Sequence, residues 1–471
     1  MNYVSTRGRV DPVGFAQAVM MGLATDGGLL VPAAIPHVDA ARLRAWSALS
    51  FEALALEVMS PFVEGEIPRD DLRRLIERSY AGFTHPQVTP LIESSGLKVL
   101  ELFHGPTAAF KDVALQFLGN LFEYLLERDG GQLNIVGATS GDTGSAAIYG
   151  VRGKARIQIF ILHPKGRVSP IQERQMTTVL DANVHNIAIR GTFDDGQRIV
   201  KDLFNDLPFK SAYQLGAVNS INWARILAQT VYYFYAWGRV SGGDPGRRVS
   251  FAVPTGNFGD VFAGYLARRM GLPIGRLIIA TNRNDIITRF MHTGVYQAGA
   301  VYQTLCPAMD IQLASNFERY LYFLHDGDAT AVCRLLDDLQ RDGRLVVDGA
   351  RLKQVQEDFA AAAVSDPQTL EQIRSTFAAS GYILCPHTAT GVRAALDTGA
   401  RDAAVCLATA HPAKFNEAVQ AAIGCTAPAP PSLQGLLERE ARCVELDATT
   451  TAVQDHVRST LRALGIGPAA V

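Results

Sequence analysis

The chain has 471 residues, 48% of which are hydrophobic, and its 44 Lys and Arg nearly balance its 46 Asp and Glu, for a formal net charge of −2. This composition excludes an intrinsically disordered protein, and the near-neutral charge argues against nucleic-acid binding by bulk electrostatics. At roughly 150 residues per domain, the length suggests about three domains.

The start of the chain and its cysteines predict the cellular setting. The start MNYVSTRGRVDP has no apolar stretch typical of a secretory signal, and no run approaches the roughly 18–20 apolar residues that span a membrane. The six cysteines form no C-x-x-C pair, which argues against a zinc site and a disulfide framework. We therefore predict a soluble, cytoplasmic protein without a metal site.

Helical and strand patterns alternate along most of the chain. Residues 1–95 are predicted to be mostly helical, from apolar periodicity within 51–60 and 69–82. Strand-like runs follow at 97–103, 133–137, 157–163, 184–191, 249–254, 276–281 and 402–408. Helical segments separate these runs, and 285–380 is predicted to be a largely helical insert. This alternation predicts an α/β fold with parallel sheets covered on both faces.

The turn VPTGNFGDVF (253–262) follows a predicted strand and opens a helix. Ligands of open α/β sheets bind at such turns. Its glycines allow the backbone to approach a ligand, and N–H groups at a helix N-terminus favour an anion. The turn is neither a Walker A motif nor G-x-G-x-x-G, so no nucleotide is implied. Taken alone, a plain glycine turn with an N-cap explains this pattern equally well.

A second turn, VGATSGDTGSAA (136–147), also joins a predicted strand to a helix. Thr139, Ser140, Thr143 and the backbone amides are suited to bind a carboxylate or phosphate. Asp142 is unfavourable in a purely anion-binding loop, which suggests that it has another partner. A capped turn without a ligand is an equally good interpretation of the local sequence.

Lys111 begins an amphipathic helix after His-Gly-Pro-Thr. Cations favour helix C-termini, so this position can lower the pKa of the lysine and produce a nucleophilic amine; a solvated lysine is the alternative. In CLATAHPAKF (406–415), Thr409 ends a strand and can hydrogen-bond a ligand, whereas a structural role is predicted for His411. An amino-acid enzyme that uses pyridoxal phosphate needs four groups that this chain offers. They are a lysine (Lys111), a turn for the cofactor phosphate (253–262), a loop for the substrate carboxylate (136–147) and a hydroxyl at a strand end (Thr409).

The motifs HGPTAAFKD, GATSGDTGSAA, PTGNFGD and ATAHPAKF, in this order and spacing, resemble the threonine synthase family. That family belongs to the tryptophan-synthase-β group, fold type II, of pyridoxal-phosphate enzymes. The likeness extends over most of the chain through YVSTRG (3–8), DGGLLVP (26–32), HPKGRVSPIQERQM (163–176), VNSINWARILAQ (218–229) and SNFERYLY (315–322). The insert at about 285–380 resembles that of the longer, yeast-type and enterobacterial branch.

The resemblance implies pyridoxal 5'-phosphate as the cofactor, bound to Lys111 as a Schiff base. Thr409 would face the pyridine nitrogen. The implied ligands of the cofactor phosphate are Gly256, Asn257, Phe258 and Gly259, with Asp260 closing that turn.

The resemblance also implies two sites for the substrate. The loop facing the substrate carboxylate would consist of Thr139, Ser140, Gly141, Asp142 and Thr143. Candidates for a separate substrate-phosphate site are Lys165, Arg167, Ser169, Asn219, Asn222 and Arg225. Arginine suits a bidentate phosphate contact, although a surface ion pair explains each arginine singly at least as well.

The implied activity is conversion of O-phospho-L-homoserine and water to L-threonine and phosphate, by γ-elimination and β-hydration, as the last step of threonine biosynthesis. Lys111 would act as general base and acid. A phospholyase or a threonine dehydratase-like lyase of the same fold is the alternative, and it would not add water at Cβ. A non-catalytic binding protein is a third possibility, but such a protein does not need Lys111. We predict no nucleic-acid or membrane partner, and a monomer or homodimer.

The predicted architecture is an α/β fold with two parallel-type open sheets covered by helices and a helical N-terminal region. The N-terminal region would span 1–95. A smaller, mobile α/β domain at 96–230 would carry Lys111 and the carboxylate loop. A large α/β domain at 231–471 would carry the phosphate turn and the insert. Mobility is expected because hydration at one carbon requires control of water access.

Overall fold

The computed structural model describes residues 1–94, 96–139, 141–400 and 404–468. The strands are β1 (Tyr3–Ser5), β2 (Leu30–Pro32), β3 (Leu91–Ser94), β4 (Leu97–Glu101), β5 (Leu133–Ala138), β6 (Ile157–Pro164), β7 (Val184–Arg190), β8 (Leu215–Gly216), β9 (Val249–Pro254), β10 (Ile274–Thr281), β11 (Val295–Gln297), β12 (Arg344–Val346), β13 (Phe359–Ala363), β14 (Ala404–Ala408) and β15 (Val444–Asp447).

The helices alternate with the strands along most of the chain, as the sequence pattern predicts. They are α1 (Phe15–Met21), α2 (Ala40–Trp46), α3 (Phe51–Val63), α4 (Arg69–Tyr80), α5 (Lys111–Asp129), α6 (Asp142–Val151), α7 (Pro170–Thr177), α8 (Phe193–Asn205), α9 (Leu207–Ala212), α10 (Trp223–Ser241), α11 (Gly259–Arg269), α12 (Ile286–Thr293), α13 (Phe317–Leu324), α14 (Ala329–Asp342), α15 (Gly349–Asp358), α16 (Asp366–Ser380), α17 (Pro386–Asp397), α18 (Asn416–Ile423) and α19 (Thr450–Ala463).

The chain divides into two compact units, each formed by two separate stretches. The first unit comprises Met1–Ala114 and Ser220–Pro428, and the second comprises Leu115–Asn219 and Ala429–Val471. This division differs from the borders expected at 95/96 and 230/231. Lys111 is grouped with the turn at 253–262, and the C-terminal segment is grouped with the predicted smaller domain.

The first unit is built on a six-stranded sheet of order β13-β10-β9-β14-β4-β3, in which only the β3–β4 pair is antiparallel. The strands β9, β14 and β4 are neighbours that run in the same direction. Their carboxyl ends therefore lie side by side, at the edge of the sheet where ligands of open α/β folds bind.

The N-terminal region and the insert both belong to the first unit. Helices α1–α4 lie in the N-terminal region, as predicted, together with the β1–β2 pair. The insert carries α12–α16, but its segment FAAAA forms β13 and pairs in parallel with β10. Alanine has high helix propensity, so tertiary pairing with β10 overrides the local preference here.

The second unit is built on a sheet of order β15-β7-β6-β5-β8, in which every pair is parallel. One face of this sheet packs against α8 and α19. The buried side chains of this core include Val136, Phe160, Leu162, Ile187, Ile189, Ile199, Leu203, Val453, Val457 and Leu461. Because β15 and α19 supply part of this core, the chain's C-terminal segment completes the second unit.

The predicted α/β fold with open sheets, helical layers and a helical N-terminal region is confirmed. In the part of the chain that the structure describes, none of the helices combines the length and the apolar character needed to cross a membrane.

Candidate active site

Lys111 begins α5 and is buried, with 8% of its surface exposed. Its Nζ lies 4.7 Å from the centroid of the Phe110 ring, and the Phe110 N–H donates to the carbonyl of Thr409 at 2.8 Å. The His411 N–H donates to the carbonyl of Ala108 at 3.1 Å. The segment before Lys111 is therefore held along the segment that follows β14. This pairing places the segment that leads into Lys111 beside the buried Thr409.

A buried carboxylate holds the turn that precedes Lys111. Asp112 accepts hydrogen bonds from the Thr107 N–H at 2.8 Å and the Thr107 hydroxyl at 2.7 Å. The Lys414 Nζ donates to the Thr107 carbonyl at 2.8 Å. A Cβ at Gly105 would collide with Asp112, so the glycine of His-Gly-Pro-Thr is required for this approach. Sequence reasoning missed this cluster, and the Thr107 and Asp112 that flank the lysine in its motif are the signal that could have revealed it.

Burial dominates the electrostatics of Asp112. It raises the pKa of the carboxyl to about 6, although the bonds from Thr107 and the charge of Lys414 act in the opposite direction.

The turn at residues 256–260, called the anion turn below, joins β9 to α11. Within the described residues, the main-chain N–H groups of Gly256, Asn257 and Phe258 have no acceptor. Phe258 has φ +63°, a left-handed conformation that few non-glycine residues adopt, and a Cβ at Gly256 would lie 2.6 Å from the carbonyl oxygen of Ala308. The constrained backbone therefore leaves these three N–H donors without acceptors at the N-terminus of α11, and such an arrangement is suited to bind an anion.

Asp260 closes the anion turn and is buried. The hydroxyls of Tyr232 and Tyr233 donate to its Oδ1 at 2.5 and 2.9 Å. Burial raises the pKa of Asp260 to about 6, while the tyrosine bonds and the Lys111 ammonium group oppose the rise. Lys111 therefore lies within electrostatic range of Asp260. Among the described residues, Oδ2 of Asp260 is buried without a hydrogen-bond partner.

These groups fit pyridoxal phosphate. The anion turn provides unpaired N–H donors for a phosphate, Lys111 provides an amine for the aldehyde, and Thr409 stands at a neighbouring strand end. All three lie in the first unit, at the carboxyl ends of β9, β4 and β14 or in the segments that follow them.

The predicted carboxylate loop lies in the second unit, between β5 and α6. The Thr139 hydroxyl accepts from the N–H groups of Gly141 and Gly144 at 3.1 and 3.0 Å, which fixes the loop in a tight turn. Thr143 is half-buried in the first turn of α6. Ser140 lies outside the described residues.

Asp142 has the separate partner that its position suggests. Gln172 Nε2 donates to Asp142 Oδ1 at 2.7 Å, and a Cβ at Gly141 would lie 2.9 Å from the same amide nitrogen. Gln172 thus packs against the loop and was not singled out from the sequence.

Three candidates for the substrate-phosphate site lie on the surface of the second unit. Lys165 forms an ion pair of 2.7 Å with Glu445. The Ser169 hydroxyl caps α7 through Gln172. Arg167 is exposed. The polar groups of Lys165 and Ser169 therefore have structural partners.

Two further candidates flank the start of α10. Asn222 is fully buried; its Oδ1 accepts from the Ala224 N–H at 3.0 Å, and its Nδ2 donates to the Val19 carbonyl at 2.8 Å. This asparagine is an N-cap whose amide is occupied at both ends. Asn219 is half-buried.

Arg225, in the first turn of α10, is the sixth candidate. It is 4% exposed, and among the described residues its Nε and Nη1 are buried without acceptors. Burial lowers the pKa of its guanidinium to about 10, so the group is a cation at neutral pH. A buried cation with unused donors is unfavourable without an anion, which makes Arg225 the strongest of the six candidates.

Family models match the chain almost end to end. "Threonine synthase N terminus" matches residues 2–80, "Pyridoxal-phosphate dependent enzyme" matches 83–409 and "Threonine synthase, C-terminal" matches 388–457.

The chain is similar over most of its length to several named proteins. It is 50% identical to threonine synthase of Pseudomonas aeruginosa over 97% of this chain and 98% of that protein. It is 39% identical to threonine synthase-like 2 of Mus musculus over 95% of this chain and 94% of that protein. The crystal structure of pyridoxal-phosphate-bound threonine synthase from Brucella melitensis matches with a TM-score of 0.95 and 48% identity, covering 98% and 100% of the two chains. The yeast threonine synthase structure matches with a TM-score of 0.94 and 45% identity, covering 98% and 99%.

Proposed function

This chain belongs to the threonine synthase family of pyridoxal-phosphate-dependent lyases, and we propose that Lys111, the anion turn and Thr409 form its cofactor site. Its activity is that of the family: O-phospho-L-homoserine and water are converted to L-threonine and phosphate. One observation carries the residue assignment. A buried lysine, an acceptor-free anion turn and a strand-end threonine meet at the carboxyl ends of three neighbouring parallel strands.

Each residue of the cofactor site has a distinct task. The N–H groups of 256–259 would hold the phosphate of the cofactor, and the Thr409 hydroxyl would serve the pyridine nitrogen. A neutral hydroxyl at this place does not force protonation of that nitrogen, unlike a carboxylate. When bound, pyridoxal phosphate supplies an electron sink for the bonds at the substrate's α-carbon.

Lys111 performs the proton transfers. Its Nζ would remove the proton from Cα and, after releasing that proton, a second proton from Cβ of the substrate. The Cγ–O bond then breaks and phosphate leaves with the bonding electrons. Of the two protons removed, one goes to Cγ and one returns to Cα, while water gives its hydroxyl to Cβ and its remaining proton to the departing phosphate. The burial of Lys111 supports this role, because a buried amine is kept apart from bulk water, which would otherwise exchange protons with the reacting carbons.

The remaining substrate contacts are assigned within each unit separately. In the second unit, the 139–143 loop would bind the substrate carboxylate at the start of α6. In the first unit, Arg225 binds the leaving phosphate, because its buried guanidinium has donors to spare. Lys165, Arg167, Ser169, Asn219 and Asn222 rank below Arg225.

Product analysis tests the function. We expect purified protein to convert O-phospho-L-homoserine to L-threonine and phosphate in equal amounts. Formation of 2-oxobutyrate with phosphate would instead identify the phospholyase alternative.

A lysine substitution tests the site. Lys111→Ala is expected to remove the visible absorption band of the lysine-bound cofactor and to abolish turnover. Lys98→Ala, in β4 of the same sheet, is the matched control and should keep both. Retention of the band in Lys111→Ala would refute the assignment.

Three broader statements stay predictions: a cytoplasmic location, a monomeric or homodimeric state, and mobility of the 96–230 domain. Crystals grown with and without a substrate phosphonate would test the mobility.

A further inference from the structure

We propose that Asn316, in the insert, is a positioning residue for the anion turn and orients its N–H groups toward the cofactor phosphate. This inference rests on the proposed function, which assigns the phosphate to that turn. Asn316 is completely buried and precedes α13.

Asn316 holds one peptide unit of the anion turn. Its main-chain N–H and its side-chain Nδ2 both donate to the carbonyl of Asn257, each at 3.1 Å. Nδ2 also donates to the Ser220 carbonyl at 3.2 Å. In a trans peptide, the carbonyl and the following N–H point in opposite directions. Fixing the Asn257 carbonyl toward Asn316 therefore directs the Phe258 N–H, which has no acceptor among the described residues, to the opposite side.

Arg319 fixes the orientation of the Asn316 amide. Its Nη1 donates to Asn316 Oδ1 at 2.5 Å, while Nε and Nη2 donate to the Leu30 carbonyl at 3.2 and 3.0 Å and Nη2 donates to the Ile221 carbonyl at 2.6 Å. Because a guanidinium is only a donor, the Asn316 oxygen must face it and the amide nitrogen must face Asn257. Arg319 is also a fully buried cation behind the anion turn, which favours an anion in front of it.

The insert supports the rest of the turn as well. The Phe258 ring packs against Phe317, Tyr320 and Phe359, with centroid distances of 5.4, 6.0 and 5.8 Å. This packing anchors the left-handed backbone at Phe258. Ser315 Oγ donates to Asn257 Oδ1 at 3.3 Å. The insert therefore supports the proposed cofactor site through several packing contacts and hydrogen bonds to the anion turn.

The test compares two ligands that differ only in the phosphate. Pyridoxal 5'-phosphate and pyridoxal are each titrated into cofactor-free full-length protein, and binding is followed by absorbance. For Asn316→Ala we expect pyridoxal phosphate to bind about tenfold more weakly, because roughly one or two hydrogen bonds that orient the turn are lost. Pyridoxal should bind within about twofold of its affinity for the wild type.

Asn183→Ala is the matched control. Asn183 is also buried, and its Nδ2 likewise donates only to main-chain carbonyls, those of Val151, Lys154 and Ile157. This variant loses the same kind of bonds in the second unit and should keep the wild-type preference for the phosphorylated ligand. A general loss of stability thus leaves the ratio of the two affinities unchanged.

Ser315→Ala provides a second test of the same prediction if Asn316→Ala does not fold. Ser315 is exposed, so its removal is compatible with folding, and we expect a smaller loss of preference in the same direction. An unchanged preference in Asn316→Ala, or in Ser315→Ala when the first variant is insoluble, would overturn the inference. A wild-type protein that binds pyridoxal as tightly as pyridoxal phosphate would instead overturn the phosphate assignment itself.

Discussion

At the scale of single residues, the position of Lys111 depends on the carboxylate that follows it. The Asp112 carboxylate accepts hydrogen bonds from the N–H and the hydroxyl of Thr107. The Thr107 carbonyl accepts a hydrogen bond from the Lys414 ammonium group. The burial of this group raises its pKa, so the folded protein holds an Asp112 proton more tightly than the unfolded chain does.

The stability of the wild type relative to Asp112→Asn should therefore change with pH. Between the ordinary carboxyl pKa and about 6, the folded protein binds more protons at this site, so the advantage of the wild type falls as pH rises and is constant above about 7. A shift of about two units corresponds to about 3 kcal/mol at most. The measurement is the difference in Tm between the cofactor-free proteins at pH 5 and at pH 7.5, which should shrink by a few degrees.

Asp195→Asn provides the control for this measurement. Asp195 accepts the N–H and hydroxyl of Thr192 at 2.8 and 2.7 Å, which lowers its pKa, so its carboxylate is charged in both states throughout this range. Its effect on Tm should be the same at the two pH values. If the Asp112 difference is equally independent of pH, the buried carboxyl does not titrate as described.

Some residues of the candidate site can be predicted from the sequence, and others cannot. Lys111, Thr409 and the anion turn stand in local motifs whose residue types match the chemistry. Asn316 lies 59 residues from Asn257, and its bond to the Asn257 carbonyl depends on the fold of the insert. Backbone recognition of this kind has no local pattern, because any residue supplies the carbonyl.

At the scale of secondary structure, α5 and α6 approach each other through glycine. A Cβ at Gly119 would collide with the carbonyl of Gly150, and a Cβ at Gly150 would lie 2.5 Å from the carbonyl of Leu115. Both obstacles are backbone atoms, which cannot move aside as a flexible side chain can.

We expect Gly119→Ala to destabilise the second unit by about 3 kcal/mol or more, because the helices must separate. Urea unfolding followed by circular dichroism would measure this. Gly349→Ala, at the first position of α15 where an added Cβ meets no atom within 4 Å, should be neutral or slightly stabilising. Equal stability of Gly119→Ala and wild type would disprove the close backbone contact.

Element prediction succeeds where periodicity and length agree. The helix at Lys111 and the apolar strands β5, β6 and β9 lie where their patterns predict them. The strand β13 consists of four alanines after Phe359, a composition that favours a helix, and becomes a strand by pairing with β10. Its identity is decided by a neighbour that local sequence does not encode.

At the scale of the whole molecule, the second unit depends on the end of the chain. Val453, Val457 and Leu461 of α19 are fully buried in its core, and β15 pairs with β7. Burial of each such side chain contributes about 1.5–3 kcal/mol.

Truncation after Pro428 should therefore unfold the second unit. We expect rapid proteolysis within 115–219 and increased binding of a hydrophobic dye. Val457→Asp should have the same effect through a single buried charge, whereas Thr451→Asp, on the exposed surface of α19, should not. Protection of 115–219 in the truncated protein would show that the second unit is complete without the C-terminal segment.

This discontinuity also has a consequence for biosynthesis. Residues 115–219 leave the ribosome early, yet the strand and helix that finish their sheet are translated more than two hundred residues later. At about 5–20 residues per second, the interval is on the order of 10–40 s. During this time the β7 edge and the apolar face beneath α19 are without their native cover. Chaperone dependence of the nascent chain should therefore end only when translation reaches the last helix.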